Sequence, residues 1–181
     1  MPTLSLTFKP FNKETAEAIR PWFSDPDTKK WLGDSSWVDM ELKQHAESID
    51  TEFRGAKTIA KYGWVVYDDS KAIGYIDGGI SNRYVKYGGE VDGKPVFLEV
   101  EDKLTSYISY TICPDERGKG YASELITELL ARTELEKVSI FSAGVEPENV
   151  GSIKALEKAG FKSDYEPDFE GMYYFFLRRK L

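Results

Sequence analysis

The chain is poor in the residues from which reactive sites are most often built. Its 181 residues include one cysteine, Cys113, and one histidine, His45. A lone cysteine excludes an internal disulfide and suits a reducing compartment. No histidine lies near Cys113 in sequence to activate it, so it reads as a strand-packing residue rather than a nucleophile. A lone histidine leaves a histidine-rich zinc site and a Ser-His-Asp triad without their parts, and His45 is expected on a polar helix face. No metal is expected. Positive charge is also short, with 24 Lys and Arg against 31 Asp and Glu, a net charge of −7. That deficit argues against a nucleic-acid surface and suits a cationic acceptor. No apolar run approaches the roughly 20 residues of a membrane span, and Met1 to Lys9 lacks the basic and apolar regions of a signal peptide. No membrane contact is expected, and the expected location is the cytoplasm.

What is present suits one soluble domain over residues 1–181: 41% of the residues are hydrophobic and 30% charged, enough to bury a sizeable core. The organising stretch runs from Leu104 to Phe161. An apolar, β-rich run from Tyr107 to Ile112 breaks at Cys113-Pro114-Asp115-Glu116. It passes through Arg117-Gly118-Lys119-Gly120-Tyr121-Ala122 and enters a segment of helical periodicity, Lys119 to Thr133, with Leu125, Ile126, Leu129 and Leu130 on its buried side. A strand, a glycine-bearing loop and a helix N-terminus in that order point to an anion. The first N–H groups of a helix lack internal partners and sit at the positive end of its dipole, and Gly118 and Gly120 let an anion approach the backbone. A Walker A loop would need Ser or Thr after Gly-Lys, where Gly120 and Tyr121 stand. The dinucleotide fingerprint would need a third glycine where Ala122 and Ser123 stand.

Those residues, with Asn149-x-x-Ser152-x-x-x-Leu156-Glu157-Lys158-x-Gly160-Phe161 further on, resemble the GNAT superfamily of N-acetyltransferases. The resemblance implies an α/β (α+β) fold with a mixed, mostly antiparallel sheet of about seven strands flanked by helices on both faces. It implies acetyl-CoA as cosubstrate, bound by a half of the chain at about residues 104–166. The pyrophosphate would lie on Arg117, Gly118, Lys119, Gly120, Tyr121 and Ala122. The backbone at Ile112 and Cys113 would pair with the pantetheine arm and polarise the acetyl carbonyl, and Asn149 and Ser152 would also contact the cofactor.

Earlier in the chain, Leu4, Leu6 and Phe8 alternate with polar residues as in a half-buried strand. Asn12 can cap a helix carrying Ala16, Ile19 and Phe23. Asp25-Pro26 opens a short helix that Gly33 closes. Ser36 or Asp39 starts the next, with Leu42, Ala46, Ile49 and Phe53 as its expected apolar stripe and Gly55 as its end. Strands are expected over Thr58 to Tyr67 and Ala72 to Asp77. Residues 78–103 are longer than the connection needs, and Asp92-Gly93 between Val91 and Val96 suggests an extra hairpin. Further strands are expected over Val138 to Phe141, from Phe161 to Tyr165, and over Met172 to Leu177, with a helix from Asn149 to Ala159.

Transfer in the family is direct, from thioester to amine. The acceptor must lose a proton, because an ammonium of pKa near about 10 is mostly charged at neutral pH. Asp77, at the end of the third strand, ranks first as the base, with Glu99 and Asp168 behind it. Trp37, Asp77, Glu99 and Asp168 are the candidate acceptor contacts. The usual general-acid tyrosine is replaced by Leu156. The leucine form with a serine four residues earlier resembles the ribosomal-protein N-terminal acetyltransferase branch, so Ser152 inherits the role. The layout also resembles aminoglycoside 6'-N-acetyltransferases, although two acidic positions of that group fall on Ile108 and Gly144. The acceptor is thus expected to be a small cationic amine, an aminoglycoside among the options, or a protein N-terminus. The alternative from another class is an acyl-CoA-binding sensor without turnover. The chain is expected to act as a monomer or a homodimer, with Tyr173 and Phe175 available to a dimer or to the core.

Overall fold

The structure, a computed structural model, describes residues 5–47 and 49–181. Thr3 and Leu4 of the expected first strand lie outside the described residues. The first strand, β1 (Leu6–Pro10), leads into α1 (Lys13–Ile19), which Asn12 and Thr15 close with reciprocal capping hydrogen bonds. A 3-10 turn at Arg20–Ser24 follows, then α2 (Pro26–Leu32), whose first turn the Asp25 carboxylate caps through Thr28 N–H. The third helix, α3, spans Ser36–Glu47. Then come β2 (Glu52–Phe53), β3 (Ala56–Asp68), β4 (Lys71–Ser81), β5 (Tyr84–Val91), β6 (Lys94–Glu101) and β7 (Thr105–Ile112). The last elements are α4 (Tyr121–Leu130), β8 (Ile140–Val145), α5 (Val150–Lys158) and β9 (Tyr173–Arg178).

Seven strands form the main sheet in the order β1-β3-β4-β7-β8-β9, with β2 beside β3. Every pairing is antiparallel except β7 with β8. Because side chains alternate across a strand, the sheet feeds two cores. Trp64, Val66, Ile76 and Ile108 pack with Leu125, Ile126, Leu129 and Leu156 of α4 and α5. Val65 and Tyr75 face the other way, onto Ala16, Ile19 and Val38 of α1 and α3. Helices therefore cover both faces.

β5 and β6 form a separate two-stranded sheet, turned by Asp92 and Gly93, both at positive φ (53° and 74°) as a tight hairpin turn requires. This hairpin is larger than the Val91-to-Val96 stretch suggested. The segment Phe161 to Tyr165 is not a strand; only Lys162 forms a bridge, to Phe176. The expected stripe on α3 is also corrected. The helix ends at Glu47, with Ile49 and Phe53 47% and 68% exposed beyond it, and its inward face is Val38, Glu41, Leu42 and His45. Phe175 is fully buried, so it serves the core. Among the described residues no helix is long and apolar enough to cross a membrane.

Candidate active site

The parallel pair β7 and β8 is in register only over Thr105–Tyr107 against Ile140–Ser142. Beyond Tyr107 and Ser142 both strands continue, β7 to Ile112 and β8 to Val145, without pairing to each other. The sheet therefore opens between these two interior strands. On its other edge β7 stays paired with β4 as far as Ile112, and the next amide, Cys113 N–H, donates to Ile73 O at 2.9 Å. Main-chain groups alternate sides along an antiparallel strand. Thus the N–H and C=O of Tyr110 and Ile112 face the gap, while the Cys113 amide does not. Ile112 thus lines the gap, and Cys113 is a buried packing residue whose N–H is occupied.

At the end of β7 the chain turns through Pro114–Glu116 into the loop before α4. Gly118 and Gly120 have φ of 76° and 87°, a region that side chains other than glycine's adopt with strain, and nothing lies within 4 Å of where a Cβ would sit. Gly120 is the N-cap of α4 and no side chain caps this terminus. The first amides of α4 are thus offered to an anion.

The side chains of this loop are engaged elsewhere. The Arg117 guanidinium donates to Asp25 Oδ2 at 2.8 Å and to Thr28 Oγ1 at 2.7 Å, tying the loop to the start of α2. The Thr28 amide and then Arg117 hold the Asp25 carboxyl below the usual carboxylate range. Lys119 Nζ pairs with Glu116, which also binds Lys71. Tyr121 is buried and its hydroxyl donates to Asp68 Oδ2 at 2.7 Å, while Ala122 sits half-buried in the first turn of α4. In this loop the backbone, rather than the side chains, is presented.

Asp77 on β4 is 5% exposed and faces α3. The His45 Nε2 lies 3.4 Å from its Oδ2, and the Ser109 hydroxyl, one strand over on β7, donates to its Oδ1. Glu41, one turn before His45, accepts from Tyr75 OH at 3.1 Å, and that phenol is also 3.2 Å from His45 Nε2. The ring edge of Phe11 packs on His45, and Gly63 leaves room for it, since a Cβ there would lie 2.6 Å from His45 Cε1. Burial and the neighbouring Asp77 charge push the Glu41 carboxyl up to about 7. Burial alone would raise Asp77 as well, but hydrogen bonds from His45, Ser109 and Glu41 outweigh it and keep Asp77 below its ordinary value. Two buried carboxyls that near cannot both ionise cheaply, so Glu41 holds the proton and Asp77 the charge. The ligating atoms of Glu41, His45 and Asp77 lie within 4.8 Å of one another, close enough for one cation. Their bonds to Tyr75 and Ser109 make them a proton-holding network.

On the opposite face, Asn149 caps α5, its Oδ1 accepting from Ser152 N–H at 3.3 Å. Ser152 Oγ is 2.7 Å from the hydroxyl of Tyr110 on β7. Leu156 is fully buried.

The remaining candidates separate from this centre. Trp37 packs against Phe23 and Tyr75 in the core of the α1–α3 face rather than lining a pocket. Glu99 is exposed on β6. Asp168 closes a turn, its Oδ1 accepting from Glu170 N–H and Met172 N–H at 2.9 Å each. Glu41, Tyr75, Ser109 and Tyr110 escaped the sequence reading. The spacing of Glu41 and His45 on one helix face, beside Val38 and Leu42, was the available signal.

Residues 5–162 match the family model described as an acetyltransferase (GNAT) domain. Among curated proteins, the uncharacterized N-acetyltransferase p20 of Bacillus licheniformis is 24% identical over 171 residues, 91% of this chain and 85% of p20. The uncharacterized N-acetyltransferase YfmK of Bacillus subtilis is 30% identical over 93 residues, 51% of this chain and 62% of YfmK, so that match spans less than two thirds of the relative's length. Among solved structures, the aminoglycoside acetyltransferase AAC(6')-Ib in complex with coenzyme A has a TM-score of 0.67 at 17% identity, over 97% of this chain and 95% of that one. That likeness extends to the fold.

Proposed function

The chain belongs to the GNAT acetyltransferase family, and from that premise we propose that it transfers the acetyl group of acetyl-CoA directly to a primary amine, of a small cationic molecule or of a protein N-terminus. The observation that carries this reading is the gap between β7 and β8, which ends at the uncapped, glycine-led N-terminus of α4. AAC(6')-Ib, which shares the fold, was solved with coenzyme A and with paromomycin and acetyl-CoA.

The residues fit such a donor. The amides of Gly118 to Ala122 would hold its diphosphate, an anion, at the positive helix end. The gap-facing groups of Tyr110 and Ile112 would pair with its amide-bearing arm and donate to the acetyl oxygen. Bound, the donor supplies an activated thioester. An attacking amine forms the new N–C bond as the C–S bond breaks, its electron pair leaving on sulfur. The amine's proton passes to Asp77, directly or by way of Ser109, whose exposed position on β7 connects the buried carboxylate to the surface. His45 and Glu41 keep Asp77 ionised and aimed.

Selection of a cationic acceptor is supported by the net charge of −7 and by the negative Asp77 network. Aminoglycosides belong to that class. The single buried cysteine and the absence of a long apolar helix among the described residues agree with work in the cytoplasm. The test is release of free thiol from acetyl-CoA against a panel of aminoglycosides, polyamines and peptides with different N-termini. Release that rises with one class of amine supports the reading. A folded sample that binds acetyl-CoA but releases thiol with none of them contradicts it.

A further inference from the structure

The position that carries the usual general-acid tyrosine is Leu156, which is fully buried and offers no proton. A phenol nevertheless reaches this region from a different element. Tyr110 extends from β7 toward the start of α5, and its hydroxyl lies 2.7 Å from Ser152 Oγ and 3.3 Å from Ser152 O. A carbonyl can only accept, so the phenol donates toward Ser152; when that donor turns to the nearer Oγ, the serine's own hydrogen is left for a third group. The pair also spans the gap. Tyr110 lies on β7 three residues past the last register with β8, and Ser152 lies in the helix that follows β8. A donor whose diphosphate sits at α4 and whose arm runs down the gap brings its acyl end toward the closed end, where Tyr110 stands.

We propose that Tyr110 and Ser152 form a hydrogen-bond relay that stabilises the departing thiolate, with Ser152 Oγ–H donating to sulfur and Tyr110 O–H donating to Ser152. This rests on the acetyl-transfer reading above and assigns it a residue. Magnitudes decide between stabilising the thiolate and protonating it. Burial pushes the Tyr110 phenol up to about 12, whereas an alkyl thiol has a pKa near about 8.5. Proton transfer from phenol to thiolate runs uphill, while a hydrogen bond to the anion is favourable and strengthens as charge develops on sulfur. The C–S electron pair therefore stays on sulfur as thiolate, no proton leaves Tyr110, and the thiolate takes its proton from solvent after release. Tyr110 is a positioning residue and Ser152 the one that touches the leaving atom.

The test compares acetyl-CoA with its selenium analogue, the acetyl selenoester of coenzyme A, in wild-type protein and Tyr110→Phe. A selenolate is the weaker base and needs less stabilisation. With acetyl-CoA, kcat is expected to fall about tenfold with KM little changed. With the selenoester the loss is expected to shrink, and the basic limb of the pH profile is expected to stay where it was. Ser152→Ala, which leaves the strand intact, is expected to show the same dependence on leaving group. An unchanged kcat in both variants, or an equal loss with both donors, overturns the relay while acetyl transfer by the wild type stands. Wild-type protein that releases no thiol with any amine overturns both.

Discussion

Ser109 and Tyr110 are consecutive on β7, and their hydroxyls leave opposite faces of the sheet, one to Asp77 under α3 and the other to Ser152 on α5. A single strand thus carries contacts to both networks: the one proposed to take the acceptor's proton and the one proposed to steady the leaving group. The strand's pleat, rather than a loop, fixes the two positions.

Replacing Asp77 by Asn keeps the shape and the Ser109 contact but removes the proposed base. The expected loss in kcat/KM is about 10²- to 10⁴-fold; the fall in rate that reflects the acceptor's own protonation stays, while the further fall below the ordinary aspartate range, where Asp77 takes up a proton, is abolished. Steady-state rates across pH, on protein whose thermal unfolding is unchanged, check this. An unaltered profile removes Asp77 from the chemistry.

Glu41→Gln should change how stability depends on pH. Glu41 has a folded pKa of about 7, above its ordinary 4.5, so the fold favours its protonated form. Its contribution is present below about 4.5 and is lost as pH rises through about 7. Gln is neutral throughout and can still donate to Asp77, so the variant should lose that decline and be the more stable protein above pH 7. Denaturant midpoints measured from pH 4 to 8 report it; parallel curves for the two proteins would contradict the assignment.

Much of this architecture was legible in the sequence, and the exceptions share a cause. Gly118 and Gly120 announced the loop because they leave the backbone at a helix start open to an anion, and Asn12 and Asp25 announced their helices by capping. The network around Asp77 was hidden because α3 turns a partly polar face inward. Glu41 and His45 look like surface residues, and the tempting stripe through Ile49 and Phe53 continued past the helix end. Tyr110 and Ser152 belong to elements far apart in sequence, so only the sheet order brings their hydroxyls together. Asp77 was legible as a candidate from its position at the end of the third strand, whereas Asp168, ranked behind it, closes a turn.

The loop separates backbone from side-chain binding. Arg117→Met removes the tie to Asp25 and Thr28, so amide exchange in α2 should accelerate while acetyl-CoA affinity stays nearly unchanged. Gly120→Ala forces a side chain to φ 87°, a cost of about 1–2 kcal/mol, and should weaken acetyl-CoA binding about 5- to 30-fold. Calorimetric titration of both variants distinguishes the two effects. A large loss of affinity in Arg117→Met would mean that the guanidinium itself holds the phosphates.

The most direct measurement is the mass of every component after protein, acetyl-CoA and amine are mixed. Direct transfer to an amine requires the amine to gain one acetyl group while the protein gains none, in the mixture and in a control without amine. An amine left unchanged beside folded, acetyl-CoA-binding protein, or an acetyl group retained on the protein as an intermediate, would contradict it.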